Sequence, residues 1–542
     1  MKHISTFLLI VTSFVSAFNA IQAQSWDLKQ KLGSSDQEPA DNLGISVAIS
    51  DSFMISGAWW EEGQDDFNLP VNSSGAAYIY RLGTNGEWTE FQKLISPNRE
   101  VLGYFGFYVA IEGNHILVGA FNEDHNGAGN AGRVYAYHLD ATDTWVLDDV
   151  LMLSTPSNND YFGSNLSIGG NYALIGAYNQ DTDAAGANML QDAGAAYVFK
   201  LQPDHTWTEI SKLVAPDREA GDNFGKYVDI DETGVVIGAF KKDAGIGLLE
   251  SGVAYGAYCA ACNFDNLTSN VLRRITPADQ NSFEAFGWDV AISGEWTVIG
   301  KGSESDQPGG GTGSNTGAAY FFHWENNQWV EKQKVYATDV STGAHFGRAV
   351  AMDGKVAVIG AGNEWEDANG QHSLSGAGAA YVFELQENNQ WMPVEKLAGT
   401  RRGINDLFGE DAVDVSGSQI VVGAWLADTI TNVEVIDGGA IYIFERDMPI
   451  TGVASLEMNE LIMLINNPSL DGMFHAKYID SGFPASSDIL SIFSMDGKRL
   501  FQQSGSLEDG WEIDLSDLRA GMYLVQFSRE GYLPEMLKWI RL

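Results

Sequence analysis

Nine histidines, two cysteines and 72 aspartates and glutamates are the side chains that could carry chemistry in this chain. A metal centre, a nucleophile or an acid–base pair needs several of them at a spacing that lets them converge. The histidines are scattered, with no His-Glu-x-x-His or other paired-ligand spacing, and no Gly-x-Ser-x-Gly elbow is present. The run GGGTGSNTG from Gly309 lacks the Lys-Ser/Thr of a phosphate loop and lies between two strand-like runs, so it reads as a flexible connection. Carboxylate pairs such as Asp65 and Asp66 are too frequent in so acidic a chain to mark a site. No catalytic residue is assigned, and the chain reads as a non-enzyme.

Cys259 and Cys262, in YCAACNF, have the spacing of a redox motif, but the surrounding pattern is β and the compartment implied below is oxidising. A local disulfide is the favoured reading, with a free pair, a metal site or a redox dithiol as alternatives. A formal charge of −41 and the absence of any basic stripe exclude nucleic acid as a partner. The acidity fits a solvated exported surface, or else bound cations.

The elements that must position any site are many and short, as 60 glycines, few prolines and abundant aromatics suggest. Residues 1–23 have a basic start, an apolar stretch from Phe7 to Phe18, and small residues at Ala20 and Ala23, the pattern of a secretory signal cleaved before Gln24. No later stretch is long and apolar enough for a membrane helix, so the mature chain is expected outside the cell, secreted or at the surface.

From there one pattern recurs: LGISVAI at Leu43, then FGFYVAI, FGSNLSI, FGKYVDI, FGWDVAI, FGRAVAM and FGEDAVDV, at intervals of 57 to 62 residues. Each copy continues to a second run ending in Gly-Ala or a variant, and to a third such as GAAYIY or GAAYVF. These three runs are nearly apolar, as strands covered on both faces should be. A fourth, WTEFQKL or WVEKQKV, alternates and carries lysine, which suits an outer edge strand kept from pairing with other chains. Four strands per unit describe a propeller blade. The seventh copy lacks its tryptophan strand, whereas WDLKQKL from Trp26 precedes the first copy, so residues 24–447 are expected to form a closed seven-bladed all-β propeller. An open solenoid would leave that first strand unpaired. The fourth unit has CAACNFDNLTSNVLRRI in place of the tryptophan strand, where a disulfide would brace the outer hairpin.

The units resemble the FG-GAP repeat family, the propeller of integrin α-subunits and of bacterial surface proteins. In members that bind calcium, the turn between the first two strands is an Asp-x-Asp-x-Asp-Gly run, because Ca²⁺ needs six to eight oxygen ligands. Here that turn is only EGN, GGN or SGE, so calcium is not expected there. Asp124, Asp181, Asp183 and Asp367, in longer loops, are the remaining cation candidates; no other cofactor is implied.

Connections between second and third strands, and between one unit and the next, are long, and both must emerge on one face, where binding residues concentrate. The residue after Gly-Ala is aromatic in five units: Trp59, Phe121, Tyr178, Phe240 and Trp425. Trp60 and Trp365 lie beside it. Such rings either stack on a glycan or peptide or pack between neighbouring blades; Trp60 and Trp365, outside the repeat phase, are the better candidates for ligand contact, with Trp59 and Trp425 beside them.

After a linker at 448–458, residues 459–542 carry about seven short strand-like runs and read as a small β-sandwich. The runs NNPSLDGMF, SMDGKRL and LRAGMYLVQF and a late lysine resemble the type A C-terminal sorting domain of the type IX secretion system, carried here by Asn467, Pro468, Gly472, Gly497, Lys498, Gly521, Tyr523 and Lys538. Family members often read Pro-Asn-Pro where this chain has Asn466-Asn467-Pro468. The resemblance implies partners in the secretion and surface-attachment machinery, with release or attachment after crossing the outer membrane. A sandwich that itself binds a ligand is the other reading. For the whole chain the expectation is a secreted or cell-surface binding or adhesion protein that takes an extracellular glycan or protein on the long-loop face. A polysaccharide-active enzyme using the same face, and a structural spacer, are the alternatives.

Overall fold

The repeats fold into seven four-stranded antiparallel sheets, a seven-bladed all-β propeller. The computed structural model describes residues 25–446 apart from 65–69, 260–263, 305–314, 340 and 431–433, together with strands between 463 and 541. The signal segment, residues 1–23, and the linker at 448–458 lie outside the described residues. In blade one the strands run outward as Leu43–Ser50, Phe53–Ala58, Ala76–Leu82 and Trp88–Ile95. Blades two to six repeat this order, with inner strands starting at Val109, Leu166, Val228, Val290 and Val350. Blade seven contains Val413–Ser416, Gln419–Ala424 and Ala440–Arg446, and its fourth strand is Trp26–Leu32, antiparallel to Ala440–Arg446.

The Phe-Gly and Gly-Ala ends of the repeat are two halves of one contact. At the junction of blades one and two, a Cβ on Gly57 would lie 1.6 Å from the carbonyl oxygen of Gly106. Gly106 itself has φ +88°, and its Cβ would meet the Ala76 oxygen at 2.2 Å. Only glycine allows backbones to approach so closely at that conformation. Phe105, fully buried, then fills the space beside Tyr135 at 5.3 Å. Blades three and four meet in the same way through Gly176 and Gly225.

The outer strands also form a belt. Gln30, Gln92 and Gln333 each accept from and donate to the backbone of the next blade's tryptophan, respectively Trp88, Trp145 and Trp391, at 2.7 to 3.0 Å. Glu395 receives the Trp26 amide in the same manner, tying blade six to the N-terminal strand. The lysines of these strands differ from the edge-protecting role expected of them. Lys93, Lys334 and Lys396 fold back over the tyrosines of their own blades, Tyr78, Tyr320 and Tyr381, and pair with carboxylates of the loops. In blade four the outer strand shrinks to Arg273–Ile275, preceded by two short 3₁₀ turns, Phe264–Asn266 and Ser269–Val271. Cys259, at the end of its third strand, is disulfide-bonded; Cys262, the chain's other cysteine, lies outside the described residues.

The second unit, residues 447–542, has a three-stranded sheet of Met463–Ile465, Met473–Tyr478 and Trp511–Asp514, and a four-stranded sheet ordered Arg499–Gly505, Asp488–Ser494, Gly521–Arg529 and Glu535–Arg541. Gly521, Tyr523 and Lys538 fall on the last two of these strands, with Leu524 opposite Lys538. Asn467, Pro468, Gly472, Gly497 and Lys498 lie outside the described residues. Among the described residues, no helix is long and apolar enough to cross a membrane.

Candidate binding face

Every inner strand is entered at its Phe-Gly (Leu-Gly in blade one) and ends at a short turn, so the residues just after that glycine stand at the long-loop end of the central channel. The first of them packs against the residue that follows Gly-Ala in the preceding blade. Trp59 meets Phe107 at 5.0 Å, Tyr178 meets the Lys226 ammonium at 4.4 Å, and Phe240 meets Trp288 at 5.1 Å. In blades five and six the loop position is Gly302 or Gly362, and the facing residues are Arg348 and Glu410. These two larger side chains occupy the space left by the missing rings and pair at 2.7 Å. The in-phase aromatics are thus inter-blade packing whose outer surfaces remain partly exposed.

The second residue after the glycine faces the channel. Tyr108, Tyr227, Asp289 and Asp411 line the long-loop end of a cavity of about 390 Å³, to which the inner strands of all seven blades contribute. Along the channel wall, carboxylates at and below this level cap the free edge of the next inner strand. Asp229 accepts from the Ile292 amide at 2.8 Å, Asp289 from Val350 at 2.7 Å, and Asp414 from Ile49 at 2.8 Å. Inner strands of neighbouring blades do not pair with each other, so their amides need such acceptors. Burial pushes Asp289 up to about 8 and Asp414 up to about 7, despite two backbone donors on each. Asp411 is also raised by burial, against the lowering influence of Arg348. Burial lowers Lys226 to about 8.

A second recurring group lies under the loops. The third residue after Gly-Ala is Glu61, Glu123, Glu304 or Glu364 in four blades, each almost fully buried. Glu304 accepts from Tyr320 at 3.0 Å and from Lys334 at 2.8 Å, and Lys301 completes the cluster at 2.9 Å. In blade four Lys242 replaces the glutamate and binds Asp222 at 2.9 Å. In these five blades the ion pairs fasten the second-to-third loop to a strand of the blade or to the connection that enters it.

Of the tryptophans singled out from sequence, Trp60 and Trp365 are 43% and 49% exposed. Trp59 is partly buried and joins Trp60 at 5.3 Å and Tyr104 at 4.9 Å. Trp425 is partly buried beside Asp411, and its carbonyl receives Asn42 at 3.2 Å. No ring contact brings Trp365 or Trp425 to the Trp59–Trp60 pair among the described residues. The loop bearing Trp365 is held from the next connection, where Arg402 donates to the carbonyls of Trp365 and His372.

Asp124, Asp181, Asp183 and Asp367 spend an oxygen on their own loops. Asp183 and Asp367 each accept two backbone amides at 2.9 Å, Asp124 accepts from Asn130 at 2.9 Å, and Asp181 from Asp192 at 2.8 Å. Among the described residues no group of three or more His, Cys, Asp or Glu side chains is arranged to hold a metal ion.

Lys226, Arg348, Asp289 and Asp411 were not picked out by sequence reasoning. The available signal was their place within two residues of Phe-Gly, where charged residues are confined to blades four to seven.

The fold and this face define a repeat propeller with a loop-built mouth. Six segments, residues 26–80, 88–137, 145–199, 207–258, 271–322 and 329–383, match the FG-GAP repeat, and the chain belongs to that family. Most of the matched segments begin on a tryptophan strand and end on a third strand, so the sequence repeat straddles two blades. No curated protein matches the chain.

Proposed function

We propose that this is a non-enzymatic binding or adhesion protein, secreted or held at the cell surface, that captures an extracellular glycan or protein on the long-loop face. The observation that carries this reading is the distribution of exposed large hydrophobic residues. Trp60, Val101, Leu102, Met189, Ile246, Leu249, Phe283, Trp365, Ile404 and Ile436 all lie on the long connections. The remaining exposed ones in the described part, such as Leu147 and Met392, are on the outer blade edges, and none lies at the short turns of the opposite face. Apolar side chains gathered in this way mark an interaction surface. Export through the type IX system, with residues 1–23 as signal and 459–542 as sorting module, belongs to the same proposal and rests on the sequence resemblance.

The mature chain, probed on an array of glycans and extracellular proteins, should capture a ligand without altering it. The double variant Trp60→Ala/Trp365→Ala should lose most of that capture. Undiminished capture by the variant would favour the spacer reading. The raised carboxyls of Asp289 and Asp411 at the cavity are what a glycan-cleaving reading would have to use. Turnover of any array glycan, lost in Asp411→Asn, would establish that reading instead.

A further inference from the structure

The long loop of blade four and the connection that leaves the blade are built on the same hydrogen bonds as those of blade two. In blade two a tight turn closes between His125 and Ala128, the Asn159 amide donates to the Gly129 carbonyl at 2.8 Å, and the Asn130 amide to Asp124 at 2.9 Å. In blade four the turn closes between Gly245 and Leu248, the Phe283 amide donates to the Leu249 carbonyl at 2.8 Å, and the Glu250 amide to Asp243 at 2.8 Å. Asn126, Gly129, Asn130 and Asn159 of one blade are therefore Ile246, Leu249, Glu250 and Phe283 of the other. The backbone conformations agree as well, since Asn159 and Phe283 both have φ +64°, and Asn130 and Glu250 have φ +52° and +44°. Asparagine accepts that left-handed region readily, whereas phenylalanine takes it at a cost. The ring gains little burial in return: Phe283 is 62% exposed, Leu249 51%, and Ile246, at the tip of its turn, fully. Blade two shows that the fold needs none of these side chains.

The patch also carries a charge. Glu250 is exposed and stands beside Leu249, with its amide held by Asp243. The nearby cations are engaged elsewhere, Lys242 with Asp222, Arg274 with Asp217 and the Ala244 carbonyl, and Lys241 over Phe240. An occupant must therefore bring apolar side chains together with positive charge. We propose that this ridge docks a short cationic amphipathic segment of a partner polypeptide, with its apolar side over Ile246, Leu249 and Phe283 and a lysine or arginine on Glu250. This rests on the reading that the long-loop face is an interaction surface, and it narrows the partner to a basic polypeptide. Three side chains are too few to hold a folded partner, whose stable interface takes about 800 Å² from each side. A second copy would bring its own charge of −41 against this one. A bilayer would have to take up Glu250 with its apolar neighbours.

The test is fluorescence anisotropy of a labelled lysine–leucine amphipathic peptide and its glutamate–leucine counterpart, titrated with the mature chain at physiological salt. The lysine peptide should bind, and the glutamate peptide at least about 10-fold more weakly. The triple variant Ile246→Asn/Leu249→Gly/Phe283→Asn gives blade four the residues of blade two and leaves the net charge unchanged. It should weaken binding of the lysine peptide at least about 10-fold, the worth of the apolar contacts removed, with a melting temperature within about 3 °C of the parent's. Glu250→Gln should weaken it about 2- to 5-fold, as loss of one exposed ion pair does. No binding of the lysine peptide, equal binding of both peptides, binding that survives the triple variant, or a larger fall in melting temperature would each overturn the proposal. So would lipid-vesicle binding or dimerisation that the triple variant abolishes, in the absence of peptide binding. If capture on the array still depends on Trp60 and Trp365, the broader reading of the face survives that failure.

Discussion

Replacing Asp289 with asparagine tests whether the channel carboxylates are held against their charge. Asp289 bridges blades five and six through the Val290 and Val350 amides, at 2.9 and 2.7 Å, in a site that raises its pKa to about 8. In the unfolded chain it should titrate near the ordinary 3.8. Between roughly pH 6 and pH 8 the folded group is then largely protonated while the unfolded one is ionised. The folded state binds more protons, so stability must fall as pH rises, by about 1.4 kcal/mol per pH unit for this group. Across that window Asp289 alone accounts for about 2–3 kcal/mol. Asp414, raised to about 7, adds to the fall in the lower half of the window. His115 acts in the opposite sense, because its lowered pKa makes stability rise as the unfolded histidine loses its proton. Urea unfolding followed by tryptophan fluorescence at pH 6, 7 and 8 measures the slope. Asp289→Asn, which removes the titration but keeps only one of the two acceptors for the Val290 and Val350 amides, should flatten that slope by about 1 kcal/mol per unit while lowering stability at pH 6. An unchanged slope would show that Asp289 is not charge-strained.

Gly57→Ala should prevent blades one and two from closing, because its methyl group would lie 1.6 Å from the Gly106 oxygen. The expected result is loss of soluble folded protein or a fall in stability of at least about 3 kcal/mol, whereas alanine at Gly113, with open space around its Cβ, should cost only the strain of its positive φ, about 1 kcal/mol. Chelator should leave the melting temperature unchanged, since Asp183 and Asp367 each give one oxygen to two backbone amides of their own loops. A drop of several degrees on adding EDTA, reversed by calcium, would refute that.

The propeller was legible because its determinants are local and repeated. Phe-Gly, Gly-Ala and the tyrosine-bearing third run recur in phase, and the glycines sit where backbones touch. The loop face was legible as well, because long and short connections alternate regularly. What the sequence did not reveal depends on contacts between repeats. Gly302 and Gly362 looked like lapses in an aromatic pattern until Arg348 and Glu410 were found filling their places. The lysines of the tryptophan strands looked like edge protection, yet a lysine's long stem lets it return over its own tyrosine to a loop carboxylate. Asp229 and Asp414, polar residues inside VDI and VDV, were overlooked because an apolar run predicts a covered strand and not which amides of the neighbouring strand lack partners. Lys226 stood out least, since nothing in FGKYVDI shows that Tyr108 and Tyr178, from two other segments, join Tyr227 around it.

The central claim is that ligand is taken on the long-loop face. Hydrogen exchange of the mature chain, with and without whatever ligand the array yields, tests it most directly. Protection should appear in the loops around residues 59–62, 97–104, 179–193, 241–251 and 363–377, and not at the short turns near Gly113, Gly170, Gly294 and Gly354. Protection confined to those turns, to the outer strands or to residues 459–542 would contradict it.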